Sequence, residues 1–143
     1  MAVTTSSTPE IDELVQSVSR AFADRDAGAV VAAYADGAVI YSLAPPLAQG
    51  PDEKGLAGWI AGWDGPVRHD FSRLRFTIDG DLAVGWGPVR VDVRTPEGEA
   101  VGWWMRMTLC LVRGRDGWRV AHEHASVPFH MDGSYRAAME LEP

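Results

Sequence analysis

The chain holds a single cysteine, Cys110, among its 143 residues. No intramolecular disulfide can form, so packing alone must hold the fold. The neighbours of Cys110 in "MTLCLV" are apolar, which predicts a buried small hydrophobe. Basic charge is scarce too: 13 Lys and Arg stand against 20 Asp and Glu, a net charge of -7. Nucleic acid and anionic membrane surfaces both require a basic footprint, so neither is an expected partner. No apolar run approaches the roughly 20 residues that cross a bilayer. The start, "MAVTTSSTPE", has no basic stretch leading into an apolar one, so no signal peptide is expected and a cytoplasmic location is the default. Internal repeats and low-complexity linkers are missing as well. What remains is an ordinary globular composition, 46% hydrophobic and 23% charged, in a length that suits one domain. A chain of this size can bury roughly 68–70% of its unfolded surface. The many Ala, Gly, Arg and Asp residues point to a GC-rich bacterial genome.

The expected organisation is a flexible terminus over residues 1–7 and a single domain over 8–143. Thr8-Pro9-Glu10 opens a helix: threonine caps, proline suits the first turn, and Glu10, Asp12 and Glu13 favour the positive end of the dipole. Ile11, Leu14, Val15, Val18 and Phe22 then recur at helical spacing. Asp26 caps a short second helix, and Asp36-Gly37 turns the chain into a strand, "AVIYSL". "APPLAQGP" reads as a loop, and Asp52 caps a third helix, "EKGLAGWIAGW". From residue 67 the period falls to two. "RLRFTI", "LAVGWGPVRVDVRT", "VGWWMRMTLCLV" and "WRVAHEHASVPF" read as strands of a long meander, with Gly85, Gly87 and Pro88 marking a bulge or bend. The tail "MDGSYRAAMELEP" suggests another helical turn or two. Helices first and strands after predict an α+β fold, with a curved antiparallel sheet against about three N-terminal helices.

Three of the four histidines lie in "HEHASVPFH", residues 122–130. Residues two apart on a strand share a face, so His122 and His124 go together and Glu123 opposes them. A catalytic zinc usually needs three protein ligands, and His130 lies beyond Pro128, where strand direction is lost. No metal site is therefore expected. On the preceding strand Trp103, Met105, Met107, Leu109 and Leu111 share one side, and Trp104, Arg106, Thr108 and Cys110 the other. Matching the apolar sets groups His122 and His124 with the first side, and Glu123 with Arg106 and Thr108.

The segment "MRMTLCLVRGRDGWRVAHEHASVPFHMDGS" resembles the SnoaL-like, ketosteroid-isomerase-like proteins of the nuclear transport factor two superfamily. Its W-x-V-x-H-x-H-x-S pattern also resembles the association domain of the calcium/calmodulin-dependent kinase. "AVIYSLAPPLAQG", a tryptophan-bearing helix and "WDGP" fit the same group. The resemblance implies a cone-shaped fold, a homodimer through the sheet, and a pocket for a small, largely apolar organic molecule. The matching association-domain positions at Cys110 and Ala125 line a pocket, which implies that the Arg106/Glu123 face lines the cavity here. Ser42 and His130 depart from the family, standing where relatives often carry an acid or, at the second position, a tyrosine.

Glu123 is then the acid–base candidate, since a carboxylate in an apolar cone can have its pKa raised toward neutrality. Arg106 would bind an enolate or carboxylate, or else form an internal ion pair with Glu123 that only orders the sheet. Tyr34 and Tyr41 could offer hydroxyls to a ligand. Trp59, Trp63, Trp86 and Trp104, with Thr108, are candidate walls, and helical core packing is the competing reading for the first two. His122 and His124 read as interface histidines. They stay ligand candidates because a bulge would swap the faces. His69-Asp70 reads as surface. The expected activity is cofactor-free proton transfer: isomerisation, cyclisation or aldol-type chemistry. A non-catalytic ligand-binding or dimerisation module is the alternative, and a metal-dependent enzyme built on the paired histidines a third.

Overall fold

In a computed structural model, which describes all 143 residues, Thr8 starts the first helix, its hydroxyl accepting from the Ile11 amide, with Pro9 in the first turn. This helix, α1, spans Pro9–Ala23 and lays Ile11, Leu14, Val15, Val18 and Phe22 on the core. Asp26 caps α2, Ala27–Val31, and Asp52 caps α3, Glu53–Ala61, each through a side-chain oxygen accepting from the third following residue. These caps satisfy amides that a helix start leaves orphaned.

Six strands follow or interleave: β1 Tyr34–Tyr41, β2 Arg68–Asp70, β3 Arg75–Asp79, β4 Leu82–Arg94, β5 Ala100–Gly114 and β6 Gly117–Ser126. They form one curved, unclosed sheet in the order β1-β6-β5-β4-β2, with β3 also on β4. Every pairing is antiparallel except β1 with β6, which is parallel. The α+β class expected from the chain order is thus the class observed, with one parallel edge added.

The bend expected at Gly85–Pro88 is a change of partner rather than a bulge. β4 pairs with β3 over Leu82–Trp86 and with β2 over Arg90–Asp92, while its register on β5 is unbroken. Close approach explains the glycines. A Cβ on Gly85 would stand 2.2 Å from the Phe76 ring, and one on Gly87 2.5 Å from the Arg73 carbonyl oxygen.

The bulge that matters lies between β5 and β6. Leu111 pairs with Val120, but Cys110 pairs with His122, so Ala121 is an extra residue. Before it, Trp118 and Val120 face the helices with Leu111; after it, the alternation of β6 is inverted. One terminal expectation changes as well. The tail forms turns and an isolated Phe129–Ala137 bridge, not a helix. Residues 1–7 run beside β3, where the Ser6 amide donates to Phe76 O at 2.7 Å and the Thr77 hydroxyl to Thr4 O at 2.8 Å.

Candidate functional site

The inverted alternation decides which side chains meet the helices. Beyond Ala121, Glu123 and Ala125 pair with Leu109 and Met107 and share their inner face. His122, His124 and Ser126 pair with Cys110, Thr108 and Arg106 on the outer face. The expectation that Arg106 and Glu123 lie together is therefore corrected. Glu123 does look inward, but onto the Met and Leu side, and Arg106 lies across the sheet from it. Sequence alternation cannot see one inserted residue, and one is enough to exchange the faces.

Helices, inner sheet and the loop between β1 and α3 line a cavity of about 490 Å³. This lies within the range of small-molecule sites. Its walls include Phe22, Tyr34, Trp59, Trp103, Met105 and Ala125, and Glu123 and His69 supply polar groups. Loop residues 42–45 and 49–52 line it as well. Tyr34 and Glu123 also bound a second void of about 30 Å³ whose other walls are all apolar.

Within the cavity wall the Tyr34 hydroxyl donates to Glu123 Oε2. Tyr34 comes from the start of β1, just after α2, and β1 shifts register against β6 between Tyr34 and Val39. Thus both members of the pair sit beside irregular pairings. Burial raises the Glu123 pKa above 4.5, and the Tyr34 hydrogen bond and the nearby His122 act in the opposite sense. Burial, and then the charge of Glu123, push Tyr34 well above 10. The tyrosine therefore stays protonated, and the carboxyl is shifted toward the range where a proton can be both taken and returned.

His69 overturns a second expectation. It is a buried residue of β2, not a surface one. Its ring stacks on Phe22 at 3.9 Å between centroids and on Phe71 at 5.6 Å. Burial lowers its pKa to about 4, so the imidazole is neutral near pH 7. The period-two signal around it, Val67-His69-Phe71, spans only three positions, of which two are apolar. Trp103 shares a face with Met105 and Met107, as alternation predicts, and that face, rather than the Arg106 face, lines the cavity.

Other candidates separate in the same way. Trp59 lines the cavity; Trp63 meets it edge-on at 6.1 Å and packs against the core. Tyr41 lies outside, its ring edge-on to His122 at 4.8 Å and His124 at 5.5 Å. Trp86 pairs with Thr108 on the outer face, and Thr108 in turn with His124. Trp104 lies there under Arg73, 4.7 Å from its ring centre. Arg106 is exposed and donates to the Ser126 hydroxyl at 3.2 Å. His122 Nδ1 is 2.7 Å from Val39 O. No group of three His, Cys, Asp or Glu side chains is arranged to hold a metal ion.

The family model described as SnoaL-like domain matches residues 11–130. The chain belongs to the SnoaL-like family. No curated protein matches it in sequence. Among solved structures, this SnoaL-like chain is similar to an NTF2-like protein of unknown function from Pseudomonas putida KT2440. The two are 27% identical, with a TM-score of 0.81 over 98% of this chain and 100% of that one. A provisionally named scytalone dehydratase from Novosphingobium aromaticivorans DSM 12444 matches at 16% identity and TM-score 0.74, covering 90% of this chain and 89% of its own. A ketosteroid isomerase-like protein from Erwinia carotovora atroseptica SCRI1043 matches at 18% identity and TM-score 0.63, over 82% and 92%. The last two likenesses support the fold alone.

Proposed function

We propose that this SnoaL-like protein is an acid–base enzyme that moves a proton on a small, largely apolar molecule held in the inner cavity, with no cofactor. The observation that carries the reading is the Tyr34–Glu123 pair, set in the wall of a cavity of about 490 Å³. Ionised Glu123 would take a proton from a carbon beside a carbonyl, and the resulting carboxylic acid would return it elsewhere. Isomerisation, cyclisation and elimination of water all use that step, and structural relatives named for isomerase-like and dehydratase activities share the fold. Tyr34 orients the carboxyl and stabilises its charged form. Such a positioned base contributes about 10²–10⁴-fold to a rate.

Exchange of α-hydrogens of β-tetralone for deuterium, followed by proton NMR, tests this without knowledge of the natural substrate. The wild-type protein is expected to accelerate exchange, and Glu123→Gln to lose about 10²–10⁴-fold of that acceleration. Equal exchange by the two would overturn the catalytic reading and leave a ligand-binding module.

The outer sheet face is the surface we assign to a second copy of the chain. Val39 and Val84 are 40% and 43% exposed on one cross-strand row, with His122 and Cys110 between them. Sedimentation of the wild type as a dimer and of Val84→Arg as a monomer is the expected result.

A further inference from the structure

The walls of the inner cavity are not held equally. Half of the residues that line it come from residues 42–59, the loop after β1 together with α3. Of the nine residues of α3 only Ile60 is buried, and Gly55 and Gly58 weaken the helix from within. A helix this short is marginal without packing, and α3 packs mainly against α2. Residues 42–48 form no backbone–backbone hydrogen bond, and the one bond they make is internal, from the Ser42 hydroxyl to Ala44 O at 2.9 Å. Leu47 stands 96% exposed among them. Two fixed points bracket the segment. Ile40 and Gln49 exchange backbone hydrogen bonds at 2.8 and 3.0 Å, and the Asp64 amide donates to Arg94 O at 2.8 Å.

One side chain from outside the segment grips it. Arg25 follows the C-cap of α1 with φ +62°, the left-handed conformation that glycine usually supplies after a helix. A side chain there strains the backbone. The guanidinium supplies what a glycine could not. Its Nη2 donates to Ile60 O at 3.1 Å, and its Nη1 to Trp63 O at 3.0 Å and to Gly65 O. These carbonyls lie at the C-terminal end of α3, where a helix leaves acceptors unpaired and its dipole favours a cation. The turn between α1 and α2 thus holds the end of the helix that carries Leu56 and Trp59 to the cavity.

We infer that residues 42–63 are a movable wall through which a ligand enters the inner cavity, and that Arg25 is the positioning residue that latches this wall shut. The choice of cavity rests on the acid–base reading; the mobility of the wall does not. Opening lifts Ile60 from the core and breaks the Arg25 bonds, while the sheet, with Tyr34 and Glu123, stays in place. Local opening of a thinly packed segment needs less free energy than global unfolding, and such motions set entry and release rates in many enzymes.

Two substitutions push the latch in opposite senses. Arg25→Gly keeps the left-handed turn, relieves its strain and removes the guanidinium. Gly58→Ala adds a methyl where nothing lies within 4 Å, so it favours the helix without crowding. Native-state hydrogen exchange measures the opening. In the wild type the amides of α3, and those of Gly62 and Trp63 that bond to Trp59 O and Ile60 O, should exchange faster than the amides of β5 and with weaker dependence on urea. Arg25→Gly should speed them about tenfold, and Gly58→Ala should slow them about fivefold. Association of β-tetralone, followed by tryptophan fluorescence after rapid mixing, should change by the same factors in the same directions. Exchange of α3 no faster than that of β5 in the wild type overturns the inference, and this arm needs no variant to fold. One association rate shared by all three proteins also overturns it and leaves the acid–base reading intact. Failure of all three to bind β-tetralone sinks the choice of cavity, and the entry role with it.

Discussion

The two faces of the one sheet differ more than any two elements of the molecule. Inside, Trp103, Met105, Met107, Leu109 and Leu111 are each less than 9% exposed and meet Glu123 and Ala125 from β6. Outside, Arg106, Thr108 and His124 are exposed, and the guanidinium groups of Arg73 and Arg90 lie over the half-buried Trp104 ring. The same two strands build both faces. Chemistry follows the face rather than the residue type: Glu123, the carboxylate on the sheet's inner face, gains a raised pKa, while Arg106 and His124 on the outer face are exposed in the single chain. A cluster of three histidines is conspicuous in a sequence, yet the residue between two of them is the one placed where water is scarce.

The largest expected contrast between the faces is in stability. Leu111, 1% exposed, packs in the core, and Leu111→Ala is expected to cost about 2–5 kcal/mol. In the monomeric Val84→Arg background, Thr108→Ala on the outer face should change stability by no more than about 0.5 kcal/mol. Urea unfolding of both variants measures the gap, and similar losses would break the distinction.

A second contrast depends on pH. His69 is neutral in the fold with a pKa near 4, against 6.5 as its ordinary value. The unfolded chain binds a proton at this residue below pH 6.5 and the folded chain does not. Its stabilising contribution is thus complete above pH 6.5 and falls as pH drops toward 4, by roughly 3 kcal/mol in all. Wild type relative to His69→Gln should lose that amount over this window in urea titrations. Parallel pH profiles would show that the ring is not withdrawn from water. The smallest effect is expected at Arg106. Arg106→Gln should change β-tetralone exchange less than about twofold, because its side chain reaches only Ser126. A loss comparable to that of Glu123→Gln would return Arg106 to the cavity.

Much of this was legible in the sequence. The capping residues Thr8, Asp26 and Asp52 mark all three helix starts, and alternation sorts β5 without error. Glu123, Tyr34 and Trp59 line the cavity. Alternation failed at Ala121, because a bulge leaves no mark on composition and reverses every later side chain. That single residue misplaced Arg106 and Thr108 inside. His69 was missed for a different reason: β2 has three residues, too few for a period to be recognised, and a histidine is read as polar until its neighbours Phe22 and Phe71 are known. Tyr41 was misplaced because residues 35–38 slip against β6, which the turn signal at Asp36-Gly37 could announce but not orient.

The most direct measurement is the titration of the Glu123 carboxyl by carbon-13 NMR, with its resonance assigned by loss in Glu123→Gln. A carboxyl on the inner face, withdrawn from water, should titrate above 4.5, and Tyr34→Phe should raise the midpoint further by removing a bond to the charged form. A midpoint at or below 4.5, unmoved by Tyr34→Phe, would place Glu123 in water and contradict the inner-face site.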